Sequence, residues 1–461
     1  MLLKRRIQQS LATQVILCLL ALGVAPGGWA GEQVDALKNE ISELKNRLAA
    51  LERLVQSQAG AAQSKGSLGA GSVSLGVEEY ASIDASRKGS AGSGDAISSR
   101  WYENIDVSGF GSFGYLETGD DGTRSDGGFQ VKEASIFFEA GVWDNTVVFL
   151  ELQTNRLGDD KSKYVRTGEA YVHMRDIFPE WETSKMGVKV GRVDIPFGEE
   201  YLFQDGLDNP LISNSASYAY GWDEGVLVYG DYRGIGWVAA ITNGYDTRSE
   251  EDDPSKAFNF KVWGNPIEPL YLSASVMSNG DSAKSAIEFG GSHFQAVGNG
   301  GESSIGVSAS DKVDSWLFEV DAKYSFGEAL SQGHLWLSYG KAWVDDDDSE
   351  FERDFQWFTI EPVWSLTDSV YLAMRYSEIG TYDDDEGYHF DGKTTAGGND
   401  VLGYDVRRFQ RTSLGLGWWI NPRLNLKVEW GQDRFDLIDG SLLDNNNSER
   451  DVFGFELTAG F

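Results

Sequence analysis

The sequence predicts an all-β fold: a transmembrane antiparallel β-barrel of about sixteen strands, preceded by a short α-helical coiled coil. Three observations carry that expectation. From Trp101 onward, apolar and polar residues alternate in segments of about ten residues, the length of a tilted membrane-crossing strand. The connections between these segments sort by parity, mostly short after even-numbered segments and long after odd-numbered ones. The last segment places Phe453, Phe455, Leu457, Ala459 and Phe461 on one face and closes on that terminal aromatic, which reads as a membrane-assembly signal.

Residues 1–30 read as an export signal. Lys4, Arg5 and Arg6 form a basic start, Val15 to Ala25 a short apolar core, and Gly28-Trp29-Ala30 a small-x-small cleavage site. A membrane anchor is the alternative, but an apolar core this short does not span a bilayer. Cys18, the one cysteine, falls within this segment. The expected mature chain therefore has no disulfide, thiolate nucleophile or Cys-ligated metal.

Residues 31–58 read as a periplasmic coiled coil. Val34, Ile41, Leu48 and Val55 occupy heptad positions a, and Leu37, Leu44 and Leu51 positions d. Glu40 with Lys45, and Arg47 with Glu52, have the g-to-e spacing of a parallel assembly. These residues are the expected oligomerisation seam; one amphipathic helix lying on its own protein is the alternative. Val and Ile at a with Leu at d favour two strands in soluble coils, whereas a trimeric barrel would impose three. Residues 59–100 are rich in Gly, Ser and Ala and read as a linker, too apolar-poor to offset its own ordering entropy.

Residues 101–461 form the expected barrel. Strands are predicted near 105–116, 129–140, 145–155, 167–175, 185–194, 223–232, 234–243, 256–264, 269–278, 314–325, 332–344, 353–364, 368–378, 409–420, 423–434 and 451–461. Two further strands between 279 and 313 would raise the number to eighteen. The short connections include Arg233-Gly234, Asn265-Pro266 and Asn421-Pro422, and the long ones include 195–222, 279–313 and 379–408. A soluble β-sandwich also alternates, but has no reason to sort its loops by parity. With both ends in the periplasm, this layout belongs to a bacterial outer-membrane barrel.

Composition agrees. The chain has 55 Gly and only 9 Pro beside 15 Trp, 19 Tyr and 24 Phe, which suits strands joined by turns. With 39 basic and 72 acidic side chains its formal net charge is −33, which argues against nucleic-acid binding by counterion release. About sixteen strands leave an aqueous channel, whereas eight are filled by side chains. The expected function is passive diffusion of small hydrophilic solutes or ions, with no bond made or broken.

Selectivity would depend on what narrows the lumen. The third long loop, 195–222, carries Tyr201, Leu202, Phe203, Leu207, Leu211 and Ile212, an apolar content that favours folding inward against the wall. It also carries Glu199, Glu200, Asp205 and Asp208 and no Lys or Arg. Arg156, Arg166, Arg175, Lys189 and Arg192 lie on or beside the neighbouring strands. An acidic loop facing this basic wall would set a transverse field at a constriction. The alternative is that these bases sit at the rims and pair with nearby acids. Other long loops carry acidic runs, Glu250 to Asp253, Asp345 to Asp348 and Asp383 to Glu386. They read as a solvated surface, or as sites where structural divalent cations bridge to lipopolysaccharide. No cofactor is expected.

Glu169-Ala170-Tyr171, Val190-Gly191-Arg192-Val193-Asp194-Ile195-Pro196-Phe197-Gly198-Glu199-Glu200 and Tyr220-Gly221-Trp222-Asp223-Glu224-Gly225-Val226 resemble the phosphate-selective porin O/P-like family. The resemblance implies a sixteen-stranded homotrimeric outer-membrane barrel with an inward third loop. The coiled coil resembles that of some trimeric members of the wider porin group. Relatives often carry Lys before the Pro-Phe-Gly, where this chain has Asp194, and the third loop has no basic residue to begin a phosphate ladder. The fold and the pore are thus expected, and phosphate selectivity is not.

Three rival functions remain at this level. A barrel lipid hydrolase would need a serine, a histidine and an orienting group on the outer wall; His173, His293, His334 and His389 are scattered without triad or metal spacing. A structural barrel would tether the outer membrane to the cell wall through the coiled coil. The sheath of a larger electron-transfer conduit would need partner cytochromes, since the sequence has no haem motif.

Overall fold

A computed structural model of the chain describes residues 104–461 apart from 119–126, 156–164, 179–184, 204–205, 218–220, 245–255, 283–287, 290–302, 305–312, 328–331, 347–352, 382–387, 397–398 and 438–448. The expected signal, coiled coil and linker lie outside the described residues, as do the acidic runs 250–253 and 383–386.

The strands, in chain order, are β1 (Ile105–Thr118), β2 (Gly128–Trp143), β3 (Thr146–Asn155), β4 (Arg166–Met174), β5 (Met186–Asp194), β6 (Trp222–Tyr232), β7 (Ile235–Thr242), β8 (Ala257–Ile267), β9 (Leu270–Ser282), β10 (Glu288–Phe289), β11 (Ser303–Ser304), β12 (Val313–Phe326), β13 (Gly333–Asp346), β14 (Arg353–Ser365), β15 (Val370–Thr381), β16 (Tyr388–Ala396), β17 (Asn399–Asn421), β18 (Leu424–Leu437) and β19 (Glu449–Gly460). Each wall strand pairs antiparallel with the next, and β1 pairs with both β2 and β19, so the sheet closes on itself. Closure abolishes the unpaired edge that an open sheet would present. The Phe461 N–H donates to the Gly109 carbonyl (2.9 Å) and the Gly109 N–H returns the bond (3.2 Å), completing the seam.

Among the described residues the wall is sixteen strands. In the segment that could have added two more, the described residues hold β10 and β11, which pair with each other in a separate sheet. Strand β17 is 23 residues long, well beyond the expected 409–420. Its first part pairs with β16 and its later part with β15, so β16 and the start of β17 extend the wall as a hairpin past the ring. Arg233 (φ 57°) and Gly234 (φ 82°) form a two-residue turn with both φ positive, the geometry whose twist matches a hairpin.

Period-two alternation puts opposite chemistry on the two faces, and the burial runs opposite to that of a soluble protein. On β3, Phe149, Glu151 and Gln153 are buried inside the ring, while Val148 is exposed outside. Phe258 (55% exposed), Trp316 (53%) and Trp418 (48%) stand on the outer surface, while Lys261, Lys427, Glu456 and Thr458 are buried. An apolar outside around a polar inside is the pattern of a barrel solvated by lipid. Among the described residues no helix is long and apolar enough to cross a membrane.

Candidate functional site

The third long loop leaves β5 at Asp194 and returns at Trp222, where β6 begins. The Ile195 N–H donates to the Gly221 carbonyl (3.0 Å), so the loop enters and leaves at one point. Between them, its described residues bond inward-facing side chains of β2, β8, β9, β14, β15, β17 and β18. Gly198 makes the entry turn. Its φ is +68°, and a Cβ there would sit 2.3 Å from a Glu319 carboxylate oxygen on β12. Only glycine takes that backbone conformation and that approach together.

The first limb docks on β8 and β9. Lys261 donates to the Gly198 carbonyl (2.5 Å) and pairs with Glu199 (2.7 Å). Tyr271 donates its hydroxyl proton to Glu199 (2.6 Å), and the Gly198 N–H donates to the Ser275 hydroxyl (2.9 Å). Glu200 opens a short 3-10 turn and ties the limbs together, accepting the Ser215 N–H (2.6 Å) and the Ser215 hydroxyl. It faces Arg375 at 3.8 Å. Burial pushes the Glu200 carboxyl above the usual carboxylate range, with Arg375 and Ser215 opposing.

The second limb runs from Gly206 to Ser217 with its carbonyls turned to buried cations. Lys427 on β18 donates to the carbonyls of Gly206 (2.7 Å), Asn209 (3.2 Å) and Leu211 (3.1 Å). Lys132 on β2 donates to the Ile212 carbonyl (2.8 Å). Arg375 on β15 donates to the Ser213 carbonyl (2.7 Å) and to Asn209 Oδ1 (3.1 Å), and Arg411 on β17 to the Asn214 carbonyl (3.2 Å). Glu429 on β18 takes the N–H groups of Ile212 (2.5 Å) and Ser213 (2.9 Å). These bases are themselves paired with wall acids: Lys132 and Lys427 share Glu456, Arg375 holds Glu361, and Arg411 holds Asp433. A buried charge is tolerated only when paired and hydrogen-bonded, and each of these is both.

The inner wall of β1–β9 presents aromatic rings instead. Phe110, Phe137, Phe149 and Tyr171 follow one another on β1 to β4, with ring centres 6.1, 6.0 and 5.0 Å apart. Tyr229, Trp263 and Tyr271 continue the cluster, and Tyr201, Leu202 and Leu207 of the loop pack against it.

The structure brings only part of the predicted constriction together. Glu199 and Glu200 meet cations inside the ring, and Asp208 is exposed. Asp205 and Arg156 lie outside the described residues, and Arg166 pairs through its backbone with Gln153. The expected basic partners turn elsewhere. Arg192 bonds Glu224 on β6 (2.8 Å), Arg175 bonds Glu139 on β2 (3.3 Å), and Lys189 reaches the Tyr171 hydroxyl (3.3 Å). They sit on the strands beside the loop's base, whereas the loop crosses to the far wall. Among the described residues, the bases that hydrogen-bond it are Lys132, Lys261, Arg375, Arg411 and Lys427, none of which proximity in sequence suggests. Their signal was the inward register of their own strands.

This ring is the fold of solved outer-membrane channels. The chain is similar to the outer-membrane channel DcaP of Acinetobacter baumannii, at 13% identity and a TM-score of 0.52, over 77% of this chain and 97% of that one. It is also similar to the anion-selective porin of Comamonas acidovorans, at 10% identity and a TM-score of 0.50, over 77% and 99%. No family model and no curated protein matches the chain. At these identities the likeness establishes the fold alone.

Proposed function

We propose that this chain is an outer-membrane porin giving passive diffusion of small hydrophilic solutes or ions. The observation that supports it most is the loop bound across a closed sixteen-strand ring, with a charged inside and an apolar outside. A ring of this size holds water, and an inward loop is the element that sets what passes. Glu199 and Glu200 belong to the narrowing in this reading, with Asp205 and Asp208 on the same loop. The working form in this reading is a homotrimer whose coiled coil lies in the periplasm. The nearby solved channels support the class of function; the anion selectivity of the Comamonas protein is its own.

The test is reconstitution of the purified chain in planar bilayers, with liposome swelling in sugars of graded size. Stepwise conductance with a size cut-off is expected; sealed bilayers at every protein concentration would sink the pore. Neutralising Glu199, Glu200, Asp205 and Asp208 together should alter ion permeability. An unchanged reversal potential would remove the loop from the constriction.

A further inference from the structure

The ring closes where β19 meets β1, and these strands come from opposite ends of the barrel sequence. Chain entropy must be lost before contacts so far apart in sequence can form. Inside the ring, the second limb of the third loop lies directly on that seam. A Cβ on Gly206 would sit 2.3 Å from Ser112 Oγ on β1 and 3.1 Å from Thr458 Oγ1 on β19. Those two hydroxyls bond each other across the seam at 2.9 Å. Leu207 lies against Gly460 of β19, where a Cβ would be 2.8 Å from its Cδ1. Lys427 on β18 and Lys132 on β2 flank the seam, and both pair with Glu456 of β19 (2.8 and 2.9 Å). Both also donate to the loop, Lys427 to the carbonyls of Gly206, Asn209 and Leu211 and Lys132 to that of Ile212. On the outer face the Phe461 ring covers Gly109 of β1, its Cζ 2.8 Å from where a Cβ would be.

The first limb differs. It bonds Lys261 of β8 and Ser275 of β9, which are neighbours in both chain and sheet. Such partners can meet before the ring closes. Those of the second limb cannot, because in an open sheet Lys132 and Lys427 stand beside opposite edges. A loop docked on β18 alone would leave the Ile212 carbonyl without its cation and Lys132 without Glu456. A backbone group taken from water without a partner costs more than an average hydrogen bond returns. Opening the seam of the finished barrel gives up the same contacts in reverse.

We propose that residues 206–212 are a strap, which docks only on a closed ring and, once docked, holds the seam shut. Docking of the inward loop and closure of the wall are then one coupled equilibrium, in which each stabilises the other by the same amount. The inference concerns assembly, and it goes beyond the porin reading and stands apart from what the pore conducts.

The experiment is hydrogen exchange of the folded chain in detergent, read by mass spectrometry on peptides from β1 and β19 and, for comparison, from β7 and β8. Asn209→Ala removes the side chain that folds the strap; its bonds run within the loop, to the Ser213 carbonyl, Asn214 Oδ1 and the Leu211 N–H, and to Arg375 of β15. Exchange of the β1 and β19 amides is expected to rise by about tenfold or more, as for the loss of roughly one hydrogen bond, with β7 and β8 unchanged. Gly198→Ala, on the first limb, is expected to leave the seam at its wild-type rate. An unchanged seam in Asn209→Ala overturns the proposal, as does acceleration of β7 and β8 alike or a seam loosened as much by Gly198→Ala. Should Asn209→Ala fail to fold, a urea titration of the wild type decides. The amides of Ile212 and Ser213 and those of the seam are expected to lose protection together. Release of the loop amides while the seam stays protected overturns the proposal.

Discussion

The inner walls of β1–β9 and of β12–β19 hold the same loop by opposite means. Apart from Lys132, Lys261 and the hydroxyls of Tyr271 and Ser275, what the first half offers this loop is mainly rings, Phe110 through Tyr271, against which Tyr201, Leu202 and Leu207 pack. The second offers Arg375, Arg411 and Lys427 with their acids, aimed at the carbonyls of residues 206–214. Apolar packing is non-directional and rewards area removed from water. Charge-assisted hydrogen bonds fix distance and angle. The aromatic half therefore keeps the loop in, and the ionic half sets where each of its carbonyls lies. A loop whose backbone groups leave water must have every one of them satisfied, which explains why cations face carbonyls here as much as carboxylates.

Removing Arg375 should break this arrangement most. Arg375→Met strands Glu361 as a buried charge and frees the Ser213 carbonyl, costing about 3–5 kcal/mol. Urea unfolding in detergent should show it, together with a larger and noisier single-channel current; a quiet channel of unchanged conductance would mean the ionic half is dispensable. On the aromatic side, Phe149→Ala removes a ring stacked between Phe137 and Tyr171 and should cost about 3 kcal/mol. Because that contact carries no direction, conductance should hold while the unfolding midpoint falls. A conductance change as large as that of Arg375→Met would erase the contrast between the halves.

The entry turn comes next. Gly198→Ala forces a side chain into a positive φ and against Glu319, a strain of about 1–3 kcal/mol that should move the loop's first limb. Altered conductance with a near-normal Arg375 clamp would be the signature; wild-type traces would show that the turn relaxes freely. The smallest effect is the pH dependence from Glu200. Its folded-state carboxyl is held above the usual range by burial, so it resists ionising while the unfolded chain ionises normally. Its contribution to stability is therefore fullest below the ordinary glutamate value and declines as pH rises through the raised one. Glu200→Gln should flatten that part of the wild-type pH profile of the unfolding midpoint, and a parallel profile would contradict it.

Much of the wall was legible because a strand in a barrel has one apolar and one polar face, a local property written every second residue. The expected 145–155 and Thr146–Asn155 differ by a single residue, as do 223–232 and Trp222–Tyr232. The hairpin that lengthens β17 was not legible, since its first part lies in a loop rich in Gly and Asp without sustained alternation. Lys132 was hidden for a different reason. It lies at a bulge where β1 and β2 slip register between Ser112 and Phe113, and both Lys132 and Glu133 turn inward. No period-two reading can place two successive residues on one face.

By itself, the sequence determined a wall of about sixteen strands, with eighteen left open, its inside and outside, and the inward bias of an apolar, acidic third loop. These follow from periodicity and composition, which act over a few residues. Only the tertiary structure decided which charges the loop meets. Arg192 is near Glu199 in the chain and bonds Glu224 instead, while Lys261, Arg375 and Lys427 reach the loop from strands far along the chain. Closing a ring brings strands distant in sequence face to face across its lumen, and that distance is set by strand number and register, which no local pattern records.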